Sequence, residues 1–267
     1  MKKTILAVTV ASLLFTGCTD EQKASSSIEK TPTSQNSQMA KGNVNSPMSK
    51  MGQGMGNGMG QGKMADYRFV SIDKVKILQK GEAKHYCPVC GMTLNHFYKT
   101  NHVASHNGYD KQYCSIHCAA EDKEVNQNDL ANFRVVDNDT LKFIDSQKAY
   151  FVVGSSKPGT MSVISKYAFG SKQSAQEFSS KFGGKIMSFD EVYAQVKSGL
   201  AKDIAKIDAK QKKMAKMGEK FYKKMCKPTD KNFTSIAQAK GYIAKSGICG
   251  NMKGKQLQAV GIYLGKK

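Results

Sequence analysis

At 267 residues, with 41 basic against 21 acidic side chains and a formal net charge of +20, the chain is long enough for one substantial domain and a smaller one. Beyond its first residues it holds no apolar run of membrane length, so no spanning helix is expected there. Nearly all the positive charge is lysine, spread as on a solvated surface, and together with an exported start this argues against nucleic acid as a partner.

Residues 1–17 read as a signal peptide: Lys2 and Lys3 precede a short apolar run over residues 5–15. The segment closes on Leu14-Phe15-Thr16-Gly17-Cys18, which resembles a bacterial lipobox, so Cys18 is the expected lipidation site. A lipid there places an exported lipoprotein on a membrane surface facing the periplasm, and Thr19 after the cysteine favours the outer over the inner membrane. Residues 18–65 cannot form a core. Ser, Thr, Gln, Lys and Asn give way to a glycine at every second position from Gly52 to Gly62, the composition of a flexible tether. Met48, Met51, Met55, Met59 and Met64 recur within it, and because helix is disfavoured among so many glycines, these thioethers read either as a copper(I)-scavenging arm or as plain linker.

Folding is expected to begin near Tyr67, with Phe69, Ile72, Val75 and Ile77 alternating as in a strand. The stretch from His85 to Cys118 follows. It holds all five histidines and four of the seven cysteines (Cys87, Cys90, Cys114, Cys118), with Met92 directly after the C-x-x-C-G turn. Thiolate, imidazole and thioether bind soft or borderline ions, and a C-x-x-C followed by a C-x-x-x-C can converge on one of them. Taken one at a time, His96, His102 and His106 read as exposed loop residues. A strand or hairpin is predicted over residues 140–153, ending at Gly154, then a helix over 173–182 stopped by Gly183-Gly184, and a short strand over 185–187. Ser188 with Glu191 forms a capping-box signature that opens a helix through Val196. The whole is α+β in two similar halves.

The region from about Tyr67 to Lys197 resembles the NosL family, lipoproteins thought to bring copper(I) to nitrous oxide reductase. The resemblance is carried by Cys87-Pro88-Val89-Cys90-Gly91-Met92, by Gln112-Tyr113-Cys114-Ser115, by AYFVVGSSKPGTM ending at Met161, and by AFGSKQSAQEFSSKFGGKIMSFDEV. It implies a pair of small ββαβ-type units over residues 66–198. It also implies copper(I) ligands at Cys90, Met92 and Met161; by donor chemistry Cys87 and His85 are next in line. The same residues permit a second reading, since C-P-x-C-G is a zinc-knuckle turn and Cys114-x-x-x-Cys118 resembles the second half of YHS or TRASH-like modules. A closed Cys₄ zinc site in a tethered interaction or metal-sequestering protein is therefore the alternative. A redox role for Cys87 and Cys90 is disfavoured, because Gly91-Met92-Thr93 does not open a helix behind the pair.

Residues 199–267 change character and read as a small all-α domain. Lysine-rich amphipathic helices are predicted over 200–225, then helices over 235–245 and 253–264. The runs GEKFYKKMC and KGKQLQAVGIYL resemble the first and last helices of a small cytochrome c, but Cys226 is followed by Lys227-Pro228-Thr229 in place of a haem-attachment motif, so no haem is expected. A Cys226–Cys249 disulfide is the plain reading for two cysteines in an exported domain. No catalytic constellation is present in the sequence, and the expectation is a copper(I) carrier serving a cuproenzyme client.

Overall fold

Two ββαβ units follow one another and three helices close the chain in the computed structural model, which describes residues 66–267. The predicted signal peptide, Cys18 and the methionines of residues 48–64 lie outside the described residues. In the first unit β1 (His102–His106) and β2 (Tyr109–Tyr113) make a hairpin around Asn107-Gly108, both at positive φ (48° and 79°), the turn that matches strand twist. Helix α1 (Ile116–Glu124) leads to β3 (Ala131–Val136), and β4 (Phe143–Asp145) extends the antiparallel sheet to the order β2-β1-β3-β4. The second unit repeats the plan with β5 (Tyr150–Val153), β6 (Lys166–Phe169), α2 (Lys172–Phe182) and β7 (Lys185–Met187), in the order β6-β5-β7. In each unit the first strand lies between the other two. The class is α+β, with a helical C-terminal part.

Local chemistry sets the element ends. Ser171 caps α2 by accepting from the Ser174 amide at 3.1 Å, and Gly183 (φ 73°) and Gly184 (φ 101°) stop it. Helix α3 (Phe189–Met225) opens on the capping box, the Ser188 hydroxyl accepting from the Glu191 amide while Glu191 accepts from the Ser188 amide at 2.8 Å. It does not stop near Val196. Phe189, Val192, Val196 and Leu200 bury one face against the core between the two units, and that burial outweighs the roughly 1 kcal/mol that Gly199 costs an exposed helix. The junction read at residues 198/199 therefore lies inside a single 37-residue helix.

The far half of α3 packs on α5 (Gly254–Gly265), with Gly218 so close to the Ala259 backbone that a Cβ there would overlap it. Between them in sequence, α4 (Ile236–Ser246) packs on α5, and a Cys226–Cys249 disulfide ties the end of α3 to the loop after α4. The strand expected through Phe69 and Ile77 does not form. A 3₁₀ turn at Ile72–Lys74 interrupts it, Phe69 and Ile72 face solvent, and the Val70, Lys76 and Leu78 amides donate instead to Asn95 O, Tyr98 Oη and Gln112 Oε1. The run over 140–153 splits into β4 and β5, one in each sheet, across a 3₁₀ turn at Ser146–Lys148.

His102 departs from its expected place in an exposed loop. It opens β1 at 1% exposure, shares its Nδ1 with the Thr100 carbonyl at 3.1 Å, and stacks on Phe151. Burial holds its pKa down to about 4, despite the hydrogen bond to Thr100. The imidazole thus stays neutral in the fold while an unfolded chain takes a proton near pH 6.5. Its contribution to stability is complete above pH 6.5 and is lost as pH falls toward 4, about 3 kcal/mol in all. Urea midpoints measured across that window should fall with acid, and His102→Phe should flatten the decline; an unchanged slope would contradict this assignment.

Candidate metal centre

The C-x-x-C-G turn closes on itself, the Gly91 amide donating to Cys87 O and the Cys87 amide to Met92 O, each at 2.8 Å, with Gly91 at φ 70°. Cys114 follows the last residue of β2, and Cys118 lies one turn on in α1. All four are buried free thiols whose ligand atoms lie within 4.8 Å of one another, with Sγ···Sγ distances of 3.5 Å for Cys90–Cys114 and 3.7 Å for Cys114–Cys118. A tetrahedral ion with metal–sulfur bonds of about 2.3 Å spaces its sulfurs about 3.8 Å apart. The donor set thus fits one thiophilic ion closely.

Polar side chains hold the two pairs in register. Gln112 accepts from the Leu78 amide and donates to Asn101 Oδ1 (2.9 Å), while Gln79 accepts from the Gln112 amide and donates to Tyr86 O (2.8 Å), fastening the approach to Cys87 onto the strand that ends before Cys114. Asp122 is the brace for α1. It accepts from the Tyr113 hydroxyl (2.8 Å), from Asn126 and Asn128 (3.0 and 2.9 Å) and from Lys111, and although burial raises its pKa these donors bring the carboxyl below its ordinary value. Thr100 donates to Cys114 O at 2.8 Å from the opposite side.

The thiols share protons. At Cys87 burial pushes the pKa up, but hydrogen bonds from Cys114, Cys118 and Cys90 outweigh it and hold the group well below the ordinary thiol range. Cys114, chiefly through burial, and Cys118, chiefly through its contact with Cys114, are held well above it. A cation bound by the cluster displaces the protons of its thiols.

Met92 and Met161, both half-buried, pack against the apolar core cluster that contains the four cysteines together with Leu94, Ala104 and Leu130. Met161 does so at φ 60°, a left-handed conformation that costs a side-chain-bearing residue about 1 to 2 kcal/mol. His85 joins no group of clustered ligand atoms among the described residues, and its Nδ1 is buried without a partner. His96 is exposed, and His106, half-buried, turns Nδ1 to Asp129 O at 2.9 Å. Sequence reading passed over His117 and Glu121, which with Cys118 form a second group of convergent ligand atoms on α1. Both ring nitrogens of His117 are buried and unpartnered, Nδ1 standing 3.8 Å from Glu121 Oε2, and burial lifts the Glu121 pKa to about 7. The H-C-x-x-E spacing, one helical turn from histidine to carboxylate, was the signal for it.

A cavity of about 280 Å³ opens beside the cluster. Cys90, Met161 and Glu121 line its inner wall, and Ile204, Asp208 and Lys266 lie on the wall contributed by α3 and the chain end, where Lys266 pairs with Asp208 at 2.9 Å.

Residues 79–197 match the family model of NosL. Among solved structures, the copper chaperone NosL from Shewanella denitrificans is similar, with 24% identity over 43% of this chain and 96% of that chain and a TM-score of 0.34. No curated protein matches.

Proposed function

Residues 79–197 being a NosL domain, we propose that this chain carries copper(I) as cargo on a membrane surface and passes it to an exported cuproenzyme, with nitrous oxide reductase the favoured client. NosL is a family of copper chaperones and not of enzymes. The observation that carries the reading is the convergence of four buried thiols, with Met92 and Met161 packed on the same core cluster and Met161 lining one cavity with Cys90. Copper(I) is soft, and thioethers select it over zinc. Cys90 is central because it belongs both to the cluster and, with Met161, to the wall of the adjoining cavity, where an incoming ligand could exchange for a protein sulfur. A lipid on Cys18 would hold this carrier facing the periplasm, the outer membrane being favoured. Among the described residues no helix is long and apolar enough to cross a membrane.

A second reading has its own support. The sulfur spacing suits a resident zinc ion in a tetrathiolate site that fixes the fold of a tethered interaction module. The methionines separate the two. Under the copper reading Met92→Leu and Met161→Leu each weaken copper(I) binding by roughly tenfold, about 1.4 kcal/mol, and leave zinc(II) affinity unchanged. Competition against a chromophoric chelator measures both, and equal copper(I) affinity in all three proteins would favour zinc. Delivery is tested by mixing the copper-loaded chain with metal-free nitrous oxide reductase in a chelator that scavenges free copper. Recovery of reductase activity supports this client, and its failure while copper stays on the chain removes it.

A further inference from the structure

The C-terminal helices lie beyond the NosL match, yet they grip the metal loop. Lys240 of α4 donates from its ammonium to the Gly91 carbonyl (2.6 Å), to Gln258 Oε1 (2.7 Å) and to the Thr93 hydroxyl (3.3 Å), and it lies over the Tyr86 ring at 4.3 Å. Gln258 of α5 turns its amide nitrogen onto the Cys90 carbonyl at 2.9 Å. The two carbonyls between Cys90 and Met92 are therefore both held from the C-terminal helices. Glycines make the close approach possible. A Cβ on Gly91 or Gly265 would run into Ile236, one on Gly261 would strike the stem of Lys240, and one on Gly241 would crowd the backbone at Glu82 and Ala83.

Lys240 is an unusual residue to bury here. It is 1% exposed, and among the described residues no carboxylate pairs with it, so its three acceptors are all neutral. A buried ammonium without a counter-charge is costly, and an apolar side chain of similar length would serve packing alone as well or better. Burial pulls its pKa down to about 7. A cluster whose thiols ionise around a cation would supply the missing counter-charge, since four thiolates exceed the charge of either copper(I) or zinc(II).

We propose that Lys240 is a positioning residue of the metal centre, its ammonium balancing the negative charge of the loaded thiolate cluster while it and Gln258 fix the Cys90–Met92 turn. The C-terminal helices are then a working part of the centre. This rests on the cluster holding a metal, as proposed above.

The test uses the full chain without its signal peptide, titrated anaerobically with zinc(II) and copper(I) against chelators, with cobalt(II) spectra reporting sulfur coordination. Lys240→Met should lower affinity about 10- to 100-fold, the usual effect of losing an outer-shell partner of a metal site. The metal-free variant should unfold at the same or a higher urea concentration than the wild type, a sign opposite to that of a merely structural lysine. Lys240→Gln keeps a donor without the charge and should bind as weakly as Lys240→Met. Gln258→Leu keeps the charge and should lose less, with its cobalt(II)–thiolate bands intact. Wild-type affinity in Lys240→Met, full rescue by glutamine, or a metal-free Lys240→Met protein destabilised in step with its affinity loss would each overturn the proposal. A wild-type chain that binds none of the three ions would instead overturn the metal reading and this inference with it.

Discussion

Cys114→Ser is expected to lower metal affinity by more than about 100-fold, beyond the range seen for outer-shell partners, because it removes a ligand from the middle of the cluster. The Cys114 sulfur lies 3.5 Å from that of Cys90, in the knuckle turn, and 3.7 Å from that of Cys118, on α1. Without it the donor set drops to three. The effect is also visible in folding: an ion bound only by the native state adds about 4 kcal/mol at a thousand times its dissociation constant. Unfolding of the wild type should therefore move to higher denaturant on adding metal, whereas the variant should show little or no shift. The same linkage makes loading acid-sensitive, since the thiols of Cys114 and Cys118 must give up their protons to bind. A metal-induced shift in Cys114→Ser equal to the wild type would remove this cysteine from the site.

Gly91→Ala should destabilise the metal-free protein by about 2 to 5 kcal/mol. Two costs combine: a left-handed backbone at φ 70°, about 1 to 2 kcal/mol for a residue with a Cβ, and overlap of that Cβ with Ile236, about 1 to 3 kcal/mol. Ile236 has little freedom to yield, because it begins α4 directly after the Ser235 cap and its own backbone is pressed against Gly265. Gly108→Ala is the control. It stands at φ 79° with nothing within 4 Å, so it should cost only the conformational part. Urea unfolding of both variants isolates the contact between the metal loop and the C-terminal helices, and equal losses would mean that the contact contributes nothing.

What the sequence disclosed follows how far apart the cooperating residues lie. Ser188 and Glu191, or Gly183 and Gly184, act within one turn, and the elements they delimit appear where the local pattern places them. The C-x-x-C and C-x-x-x-C spacings made the cluster legible, because each pair is itself a local motif and the family resemblance supplied the two ββαβ units that bring them together. The end read for α3 at Val196 fell short, since the burial of Val196 and Leu200 that carries the helix past Gly199 is not visible in a local pattern. The alternation through Phe69 and Ile72 suggested a strand, but the partners of that segment are Asn95, Tyr98 and Gln112, and no pattern within the segment points to them. Lys240 was hidden for the same reason: one lysine among many in the chain, it is distinguished by a hydrogen bond to Gly91, 149 residues away.

The most direct test of the account is a paired competition titration of the chain, anaerobic and free of its signal peptide, with copper(I) and zinc(II) each set against a chromophoric chelator. The account predicts one tightly held copper(I) per cysteine cluster, preferred over zinc(II) and withdrawn by a stronger thiolate acceptor without unfolding of the protein. Zinc(II) bound far more tightly than copper(I), and removable only with loss of the fold, would contradict it and leave the cluster as a structural fastening.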